Sequence, residues 1–294
     1  MGKLLESSNN VIVLDNLITG NKKNIDKFMD ITNFKFIEHD IQDSIYIDEK
    51  LDYIVHLASC ASPKAYSQYP INTLKSGSIG TINALGIAKK HNAKFFLAST
   101  SEVYGDPQVS PQDENYWGNV NTLGPRSMYD ESKRFAESAT KAYMTTHGIH
   151  ANIARIFNTY GPNMQIDDGR VVTNFIYQAI KNEDITIYGN GNQTRSFSFI
   201  EDTLDGLLKV INYENSDVFN IGSENEITIK HLAETVISLT NSNSKIVYKD
   251  IPEDDPKQRK PDLTKAKEQL NYVPRYSLED GLKITIEWVI KTYK

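Results

Sequence analysis

The segment KFFLASTSE (residues 94–102) is the most informative stretch for the fold, because an apolar run passes directly into a polar one. A run that is apolar on both faces is typical of a parallel strand buried between two layers of helices. The carboxyl ends of such strands border the ligand crevice of an open sheet, so we expect Ser99, Thr100, Ser101 and Glu102 to lie at a functional site. The alternatives are that Thr100 and Ser101 only cap the next turn and that Glu102 reaches solvent.

Similar β-rich runs alternate with longer amphipathic segments through the first half of the chain. The runs lie at 11–16, 34–40, 53–59 and 151–158, and helical patterns cover 72–91 and 129–148. This alternation predicts a parallel sheet wrapped by helices. From residue 159 the pattern changes and predicts a smaller lobe. Its expected elements are a helix at 171–182, two short strands flanking 188–196, a helix at 201–211, a strand at 218–222, and helices near 227–240 and 278–291.

The composition favours an enzyme that acts on small molecules. The 294 residues suggest two lobes, and 38 acidic against 32 basic side chains give a net charge of -6 without the basic run that nucleic acid or an anionic membrane selects. The single cysteine, Cys60, excludes an internal disulfide, and the sequence contains no apolar stretch of about 18 residues and no signal-peptide start. We therefore expect a cytoplasmic protein. The six histidines, including His56 inside a predicted strand, show no zinc-like spacing, so no metal is expected.

Tyr129 and Lys133, in YDESK, are four residues apart on a predicted helix and therefore lie on one helical face. A lysine at this position can lower the pKa of the tyrosine, which lets the phenol act as a base towards a sugar hydroxyl. The alternative is an ordinary pair on a helix surface.

Seven segments in series resemble the extended short-chain dehydrogenase/reductase superfamily, and most closely its UDP-glucuronate decarboxylases, also called UDP-xylose synthases. The resemblance runs from about Leu4 to the C-terminus. The segments are LDNLITGNKKNI (14–25), HLASCASP (56–63), STSEVYGDP (99–107), YDESKR (129–134), RIFNTYGP (155–162), GNGNQTRSF (189–197) and DDPKQRKPD (254–262).

The resemblance implies a Rossmann-like α/β fold with a smaller C-terminal substrate-binding lobe. The NAD-binding domain would comprise 1–158 and 198–222, and the UDP-sugar lobe 159–197 and 223–294. The implied reaction converts UDP-glucuronate into UDP-xylose through a UDP-4-keto sugar, with NAD as cofactor. The family also implies a homodimer; no nucleic acid or membrane partner is expected.

The resemblance also implies residue roles. Tyr129 would take the proton of the sugar 4-hydroxyl, with Lys133 tuning it. Glu102, with Ser101 or Thr100, would position the carboxylated carbon and handle protonation at C5, and Arg259 would face the same end of the sugar. The implied cofactor-binding residues are Asp15, Asn16, Asp40, Ile41, Leu57, Ala58, Lys75, Ser99, Tyr129 and Lys133. The implied substrate-binding residues are Asn158, Arg170, Val171, Tyr188, Arg195 and Arg259.

Two departures from the family pattern stand out. In the family, a first strand, a GxxGxxG turn and a helix normally precede LDN. Residues 1–10 resemble only the end of that helix. That strand is central in the 3-2-1-4-5-6 order, so its neighbours would be left about 9.6 Å apart, and the loop normally binds the pyrophosphate. We therefore expect a truncated chain with weak NAD binding and poor stability. Gly77 also stands where relatives usually have asparagine, which puts one cofactor-side hydrogen bond in doubt.

Three other functions stay open on the sequence. A 4,6-dehydratase normally has an aspartate where Ser101 stands, and a 4-epimerase usually lacks the acid at Glu102, so both are disfavoured. A non-catalytic nucleotide-sugar-binding protein is the alternative of another class. Arg195 could also be an exposed arginine on a hairpin, and Arg259 part of a solvated charge run.

Overall fold

The protein is described from a computed structural model, which covers residues 1–250, 256 and 258–293. Residues 254, 255 and 257 of the segment 254–262 quoted above therefore lie outside the described residues. The helices are α1 (Gly2–Glu6), α2 (Lys23–Asp26), α3 (Pro63–Gln68), α4 (Pro70–Lys75), α5 (Thr81–His91), α6 (Ser127–His147), α7 (Val171–Ile180), α8 (Ile200–Ile211), α9 (Ile229–Thr240), α10 (Thr264–Leu270) and α11 (Leu278–Tyr293). The strands are β1 (Val11–Asp15), β2 (Phe34–Glu38), β3 (Tyr53–His56), β4 (Lys94–Thr100), β5 (Ala151–Ile156), β6 (Thr159–Tyr160), β7 (Ile185–Tyr188), β8 (Thr194–Ser196), β9 (Ser198–Phe199), β10 (Val218–Ile221), β11 (Glu226–Thr228) and β12 (Ile246–Lys249).

The main sheet is parallel and is covered by helices on both faces, as the apolar runs predict. Its strand order is β10-β5-β4-β3. Phe95 and Leu97 of β4 pack with residues of α5 and α6, whereas Phe96 and Ala98 pack with residues of α8 and α10. Alternate side chains of one strand therefore fill two separate cores, which fixes the register of β4 and places its polar end at the sheet edge.

The strands β1 and β2 form a separate two-stranded parallel sheet. In the described part of the chain, β1 and β3 form no ladder with each other. Side-chain contacts join the two sheets instead. The amide nitrogen of Asn83 on α5 donates hydrogen bonds to the carbonyl oxygens of Ile41, Gln42 and Asp43, at 2.9, 3.2 and 3.0 Å, just beyond β2.

The C-terminal part of the chain has its own hydrophobic core, built mainly from α7, α9, α11 and β7. The two strands flanking 188–196 are present, but they do not form a hairpin with each other. β7 pairs in parallel with β12, and β8 pairs antiparallel with β11. Within the described ranges, no helix combines the length and apolar character needed to cross a bilayer.

The helical pattern at 72–91 is interrupted by a π-helical turn at Ser76–Gly80, between α4 and α5. At this turn the chain packs tightly against α6. A Cβ atom placed on Gly77 would lie 2.5 Å from Cβ of Ser132 and 2.8 Å from its carbonyl oxygen. Gly77 therefore allows the close approach of α6, which carries Tyr129 and Lys133, and asparagine would not fit there without movement of the helix.

Replacing Gly77 with alanine is expected to destabilise the protein by about 1–3 kcal/mol, because the added methyl group overlaps Ser132. The second substitution Ser132→Gly should recover part of this loss, since it removes Cβ and the hydroxyl from the contact. Urea unfolding of the two single variants and the double variant measures the coupling.

Gly86→Ala in α5 is the matched control, because a Cβ atom there meets no atom within 4 Å. It should stabilise the helix by roughly 0.5–1 kcal/mol. Equal effects of the two glycine substitutions, or additive effects of Gly77→Ala and Ser132→Gly, would contradict the proposed packing.

Candidate active site

The carboxyl end of β4 turns sharply into a 3₁₀ helix at Ser101–Tyr104. The side-chain oxygen of Thr100 accepts a hydrogen bond from the backbone N–H of Glu102 at 3.2 Å. Thr100 therefore caps the turn, as in the simpler sequence interpretation. The same hydrogen bond fixes the backbone position of Glu102. Ser101 is buried in the same turn.

Two guanidinium groups converge on the carboxylate of Glu102. Nη2 of Arg126 lies 2.8 Å from Oε2, and Nη1 of Arg259 contacts Oε1. A second nitrogen of Arg259 donates to the carbonyl oxygen of Gly105 at 2.7 Å. The side chains of Glu102 and Arg259 are only 14% and 2% exposed. Arg259 is thus a buried partner of Glu102 rather than part of a solvated charge run, and the cluster brings together β4, the start of α6 and residues 258–260.

This ion-pair cluster keeps Glu102 ionised. Burial by itself would raise the pKa of Glu102, but the positive charges of Arg259 and Arg126 outweigh burial and hold the pKa below its ordinary value. The role of Glu102 in protonation at C5 stays a prediction, and it requires that the ionised carboxylate first receives a proton from another group.

Asp130, next to Tyr129 on α6, has the opposite character. Burial, followed by the negative charge of Glu102, raises its pKa to about 7, against the opposing effect of Arg126 and Arg259. Its Oδ1 is buried without a hydrogen-bond partner among the described residues. Asp130, Glu102 and Arg126 line one cavity of about 230 Å³.

Tyr129 and Lys133 lie in the first two turns of α6 and are both buried, so they are not a helix-surface pair. The ammonium of Lys133 lies 5.9 Å from the Tyr129 ring centre and donates to the carbonyl oxygen of Ala98 at 2.8 Å. Tyr66 of α3 stacks on the Tyr129 ring at 5.3 Å between ring centres. Tyr129 is therefore fixed on one face by an aromatic ring and lies close to the end of β4.

The expected lowering of the Tyr129 pKa is not observed. Burial raises it to about 12, although the hydrogen bond to Thr100 opposes the shift. Burial also lowers the pKa of Lys133 to about 8, opposed by the charge of Glu137. With these residues alone the phenol keeps its proton at neutral pH, so its ionisation to a phenolate base needs a further positive charge in the site.

Four of the predicted cofactor-binding residues come together at the carboxyl ends of β1 and β2. The amide of Asn16 donates to Oδ2 of Asp40 at 2.9 Å, and Asp15 accepts from the backbone N–H of Leu17 at 2.7 Å. Ile41 follows Asp40 and would contact a Cβ atom on Gly80. The asparagine and the two carboxylates thus form one polar edge on the smaller sheet.

The other predicted cofactor-binding residues are spread more widely. Leu57 and Ala58 follow β3, and Leu57 is 58% exposed. Lys75 ends α4 and its side chain is exposed. Ser99 is buried and donates to Glu137 at 2.6 Å, so its hydroxyl supports the sheet rather than pointing to an open site.

The predicted substrate-binding residues divide into two groups. Arg170, which precedes α7, reaches the carbonyl oxygen of Ala61 at 3.3 Å and lies close enough to lower the pKa of Tyr129. Val171 begins α7. Arg195 on β8 is buried, and its neighbour Ser196 donates to the carbonyl oxygen of Arg259 at 3.2 Å.

The remaining two predicted substrate-binding residues, Asn158 and Tyr188, lie apart from this group. The carbonyl oxygen of Asn158 accepts from Ser198, and Tyr188 lies at the end of β7 with a half-exposed ring. Among the described contacts, none joins either side chain to Glu102 or Tyr129. Sequence reasoning assigned no role to Arg126, Asp130 or Tyr66, although Arg126 immediately precedes α6 and Asp130 adjoins Tyr129 on it.

A Rossmann-type α/β fold with a tyrosine and a lysine on a helix beside the polar end of β4 defines a class of enzyme, the extended short-chain dehydrogenase/reductases. The chain belongs to the family described as GDP-mannose 4,6 dehydratase, which matches residues 1–285.

Within this family the chain is similar to UDP-glucuronic acid decarboxylases. It is 49% identical to UDP-glucuronic acid decarboxylase 5 of Arabidopsis thaliana, over 97% of this chain and 83% of that protein. It is 47% identical to UDP-glucuronic acid decarboxylase 1 of Danio rerio, over 97% of this chain and 68% of that protein. Some decarboxylases of this group are longer, and the chain spans 64% of one of them.

A solved structure of similar fold is UDP-glucuronic acid 4-epimerase from Bacillus cereus in complex with UDP-glucuronic acid and NAD. It superimposes with a TM-score of 0.89 at 25% sequence identity, and the match covers 99% of this chain and 95% of that one. The likeness confirms the predicted fold class, a Rossmann-like parallel sheet with a smaller α/β lobe.

Replacing Glu102 with glutamine is expected to destabilise the protein by roughly 3–5 kcal/mol at pH 7, because it leaves Arg259 buried without its anionic partner. The folded-state pKa of Glu102 lies below 4.5, so its stabilisation is present above that pH and is lost as the pH falls through the folded value. Thermal unfolding across pH 3–8 should therefore show the two proteins converging in acid.

Glu131→Gln serves as the control, since Glu131 makes a partly exposed ion pair at 3.7 Å with Arg134. It should change stability by less than about 0.5 kcal/mol. A Glu102→Gln variant as stable as this control at pH 7 would contradict the burial of an ionised carboxylate.

Proposed function

We propose that the protein catalyses the NAD-dependent decarboxylation of UDP-glucuronate to UDP-xylose through a UDP-4-keto sugar. The observation that carries this proposal is the cluster of two guanidiniums around one carboxylate, placed beside a buried tyrosine. The 47–49% identity to proteins named UDP-glucuronic acid decarboxylases supports it.

The charge of the cluster suits a sugar that carries a carboxylate. Arg126 and Arg259 bring two positive charges and Glu102 one negative charge, while the raised pKa of Asp130 keeps much of that carboxyl neutral at pH 7. The two guanidiniums outnumber the carboxylate of Glu102 by one positive charge, which complements a carboxylate on C5, and a guanidinium binds a carboxylate by paired hydrogen bonds. A 4,6-dehydratase acts on an uncharged hydroxymethyl group, for which this charge has no partner.

Tyr129 and Lys133 have the positions that removal of a hydroxyl proton needs. The phenol takes the proton of the sugar 4-hydroxyl and later returns it, with Thr100 as its hydrogen-bond partner. The buried ammonium of Lys133 stays close to the ring and stabilises negative charge on the phenolate. Arg170 adds a second positive charge near the same tyrosine.

The described residues fit NAD at both ends. Asp15, Asn16 and Asp40 provide the polar edge for the adenosine, and Lys133 and Tyr129 would lie at the nicotinamide ribose. Ser59, just beyond β3, has a buried hydroxyl without a hydrogen-bond partner among the described residues, as expected where a ligand supplies the missing partner. When bound, NAD accepts the hydride from C4 of the sugar and returns it.

Decarboxylation then follows from the chemistry of the sugar. Once C4 is a ketone, the C5 carboxylate belongs to a β-keto acid, and the electrons of the breaking bond move into the ketone. Arg259 and Arg126 hold the carboxylate end in place. Arg195, Arg170, Val171, Tyr188 and Asn158 would hold the UDP part, on the lobe formed by 159–197 and 223–294, while 1–158 and 198–222 would form the NAD-binding domain.

Incubation with UDP-glucuronate and NAD, followed by mass spectrometry of the nucleotide sugar, is expected to give a UDP-pentose. Tyr129→Phe should reduce this product by at least about 100-fold, because it removes the proton-transfer group. Tyr143→Phe is the control, since that ring is on the same helix but contacts His147.

The other functions give different products in the same assay. A 4-epimerase leaves the mass unchanged, and a 4,6-dehydratase product would lack the elements of water. A nucleotide-sugar-binding protein would bind UDP without NAD and yield no product at all. Any of these results with the wild-type protein would overturn the decarboxylase proposal.

We also propose a homodimer formed through α4 and α6, and a cytoplasmic location. Supporting the dimer, α4 packs beside α6 and both present exposed apolar side chains, with Ile71, Leu74 and Phe135 being 60%, 39% and 44% exposed. The location rests on the single cysteine, which fits a reducing compartment.

Ile71→Glu is expected to convert the dimer into a monomer, because it places a charge in the apolar contact. Light scattering coupled to size exclusion measures the mass. Ile284→Glu on α11, where the isoleucine is 40% exposed, is the matched control and should leave the mass unchanged. A monomeric wild type would refute the proposed assembly.

A further inference from the structure

The proposed reaction consumes one proton from solvent in each turnover. A carboxylate leaves as carbon dioxide and a hydrogen takes its place on C5, whereas the proton and the hydride removed at C4 both return to the sugar. This inference rests on the proposed function. The site therefore needs a group that takes a proton from solvent and holds it near C5.

Glu102 does not hold that proton in the resting site, because two guanidiniums keep it ionised. Tyr129 does not supply it either, since the proton that it takes from the 4-hydroxyl must return when C4 is reduced. A further acid is required within reach of Glu102.

Asp130 is placed to be that acid. Its side chain is 7% exposed, and Oδ1 has no hydrogen-bond partner among the described residues. It lines the same cavity as Glu102, together with Asp106, Asn121 and Pro256. A buried carboxyl with a free oxygen, facing a cavity beside an ionised carboxylate, can hold a proton and exchange it with water in that cavity.

We propose that Asp130 stores the proton that decarboxylation consumes and passes it through Glu102 to C5 of the sugar. As the bond from C5 to the carboxylate breaks, its electron pair moves into the C4 ketone and forms an enolate. The proton of Asp130 moves to the ionised carboxylate of Glu102, and Glu102 gives this same proton to C5, where the C5–H bond forms and the C4 ketone is restored. Glu102 ends the step ionised, Asp130 ends it as a carboxylate, and water in the cavity protonates Asp130 again.

The electrostatic surroundings of Asp130 support this role. Glu102 on the 3₁₀ turn and Glu131 on α6 favour the protonated form, while Arg126 at the start of α6 and Arg259 favour the ionised form. The balance places the pKa of Asp130 near neutral, where a group can both donate and recover a proton. Because the protonated form is active, the rate should fall as the pH rises through this pKa.

Asp130→Asn is the test, because asparagine keeps the shape and removes the proton. The expected result is a fall in kcat of about 100-fold or more with an unchanged KM for UDP-glucuronate, and reduced cofactor that accumulates during turnover. The fall in rate near pH 7 should disappear, leaving the fall caused by Lys133, whose pKa is lowered to about 8. Asp130→Glu should restore the lost pH dependence, and Glu131→Gln should keep this dependence but displace it towards lower pH, because one negative charge near Asp130 is removed.

Infrared spectroscopy of protein labelled with ¹³C-aspartate provides a readout that needs no turnover. The wild type should show the carbonyl band of a protonated aspartic acid that disappears between pH 6 and pH 8, and this band should be absent from Asp130→Asn. Absence of the band from the wild type would overturn the proposal.

The outcomes separate the two proposals. An active wild type whose pH profile and kcat are unchanged in Asp130→Asn overturns the role of Asp130 alone. A wild type that releases no carbon dioxide overturns the proposed function and the proton delivery with it, whatever the infrared titration shows.

Discussion

The site depends on one buried interaction, the carboxylate of Glu102 held between Arg126 and Arg259. These three side chains come from a turn after β4, the start of α6 and a segment that follows β12. Glu102 and Arg259 are in contact although they are 157 positions apart in the sequence. Burying these charges is costly unless each is paired, which ties the geometry of the three segments together.

The sequence predicts most of the sheet because the signal is local. The apolar run at 94–100 becomes β4 with its two faces in separate cores, and the helix carrying Tyr129 extends from Ser127 to His147, close to the predicted 129–148. The prediction is weaker where local pattern and tertiary packing compete. The helix expected at 72–91 is present, but its turn at Ser76–Gly80 is π-helical, and Gly77 in this turn passes Ser132 closely.

Site chemistry is less predictable than site location. The sequence places Glu102 and Tyr129 near one another, but a pKa depends on burial and on charges brought in from distant segments. The buried state of Tyr129 raises its pKa where the spacing to Lys133 suggested the reverse, and the pairing of Arg126 with Glu102 could not be inferred from local spacing. Asp130 adjoins Tyr129 in the sequence, yet its character follows only from the fold.

The division of the strands into two sheets has a consequence for how the molecule opens. No backbone ladder among the described residues joins β1 and β2 to the main sheet, so contacts such as those of Asn83 carry much of the connection. Elements linked mainly by side chains can unfold locally without global unfolding. The backbone amides of β1 and β2 should then exchange with solvent sooner than those of β4. A nucleotide that contacts both sheets would hold them together and slow the exchange of the β1 and β2 amides.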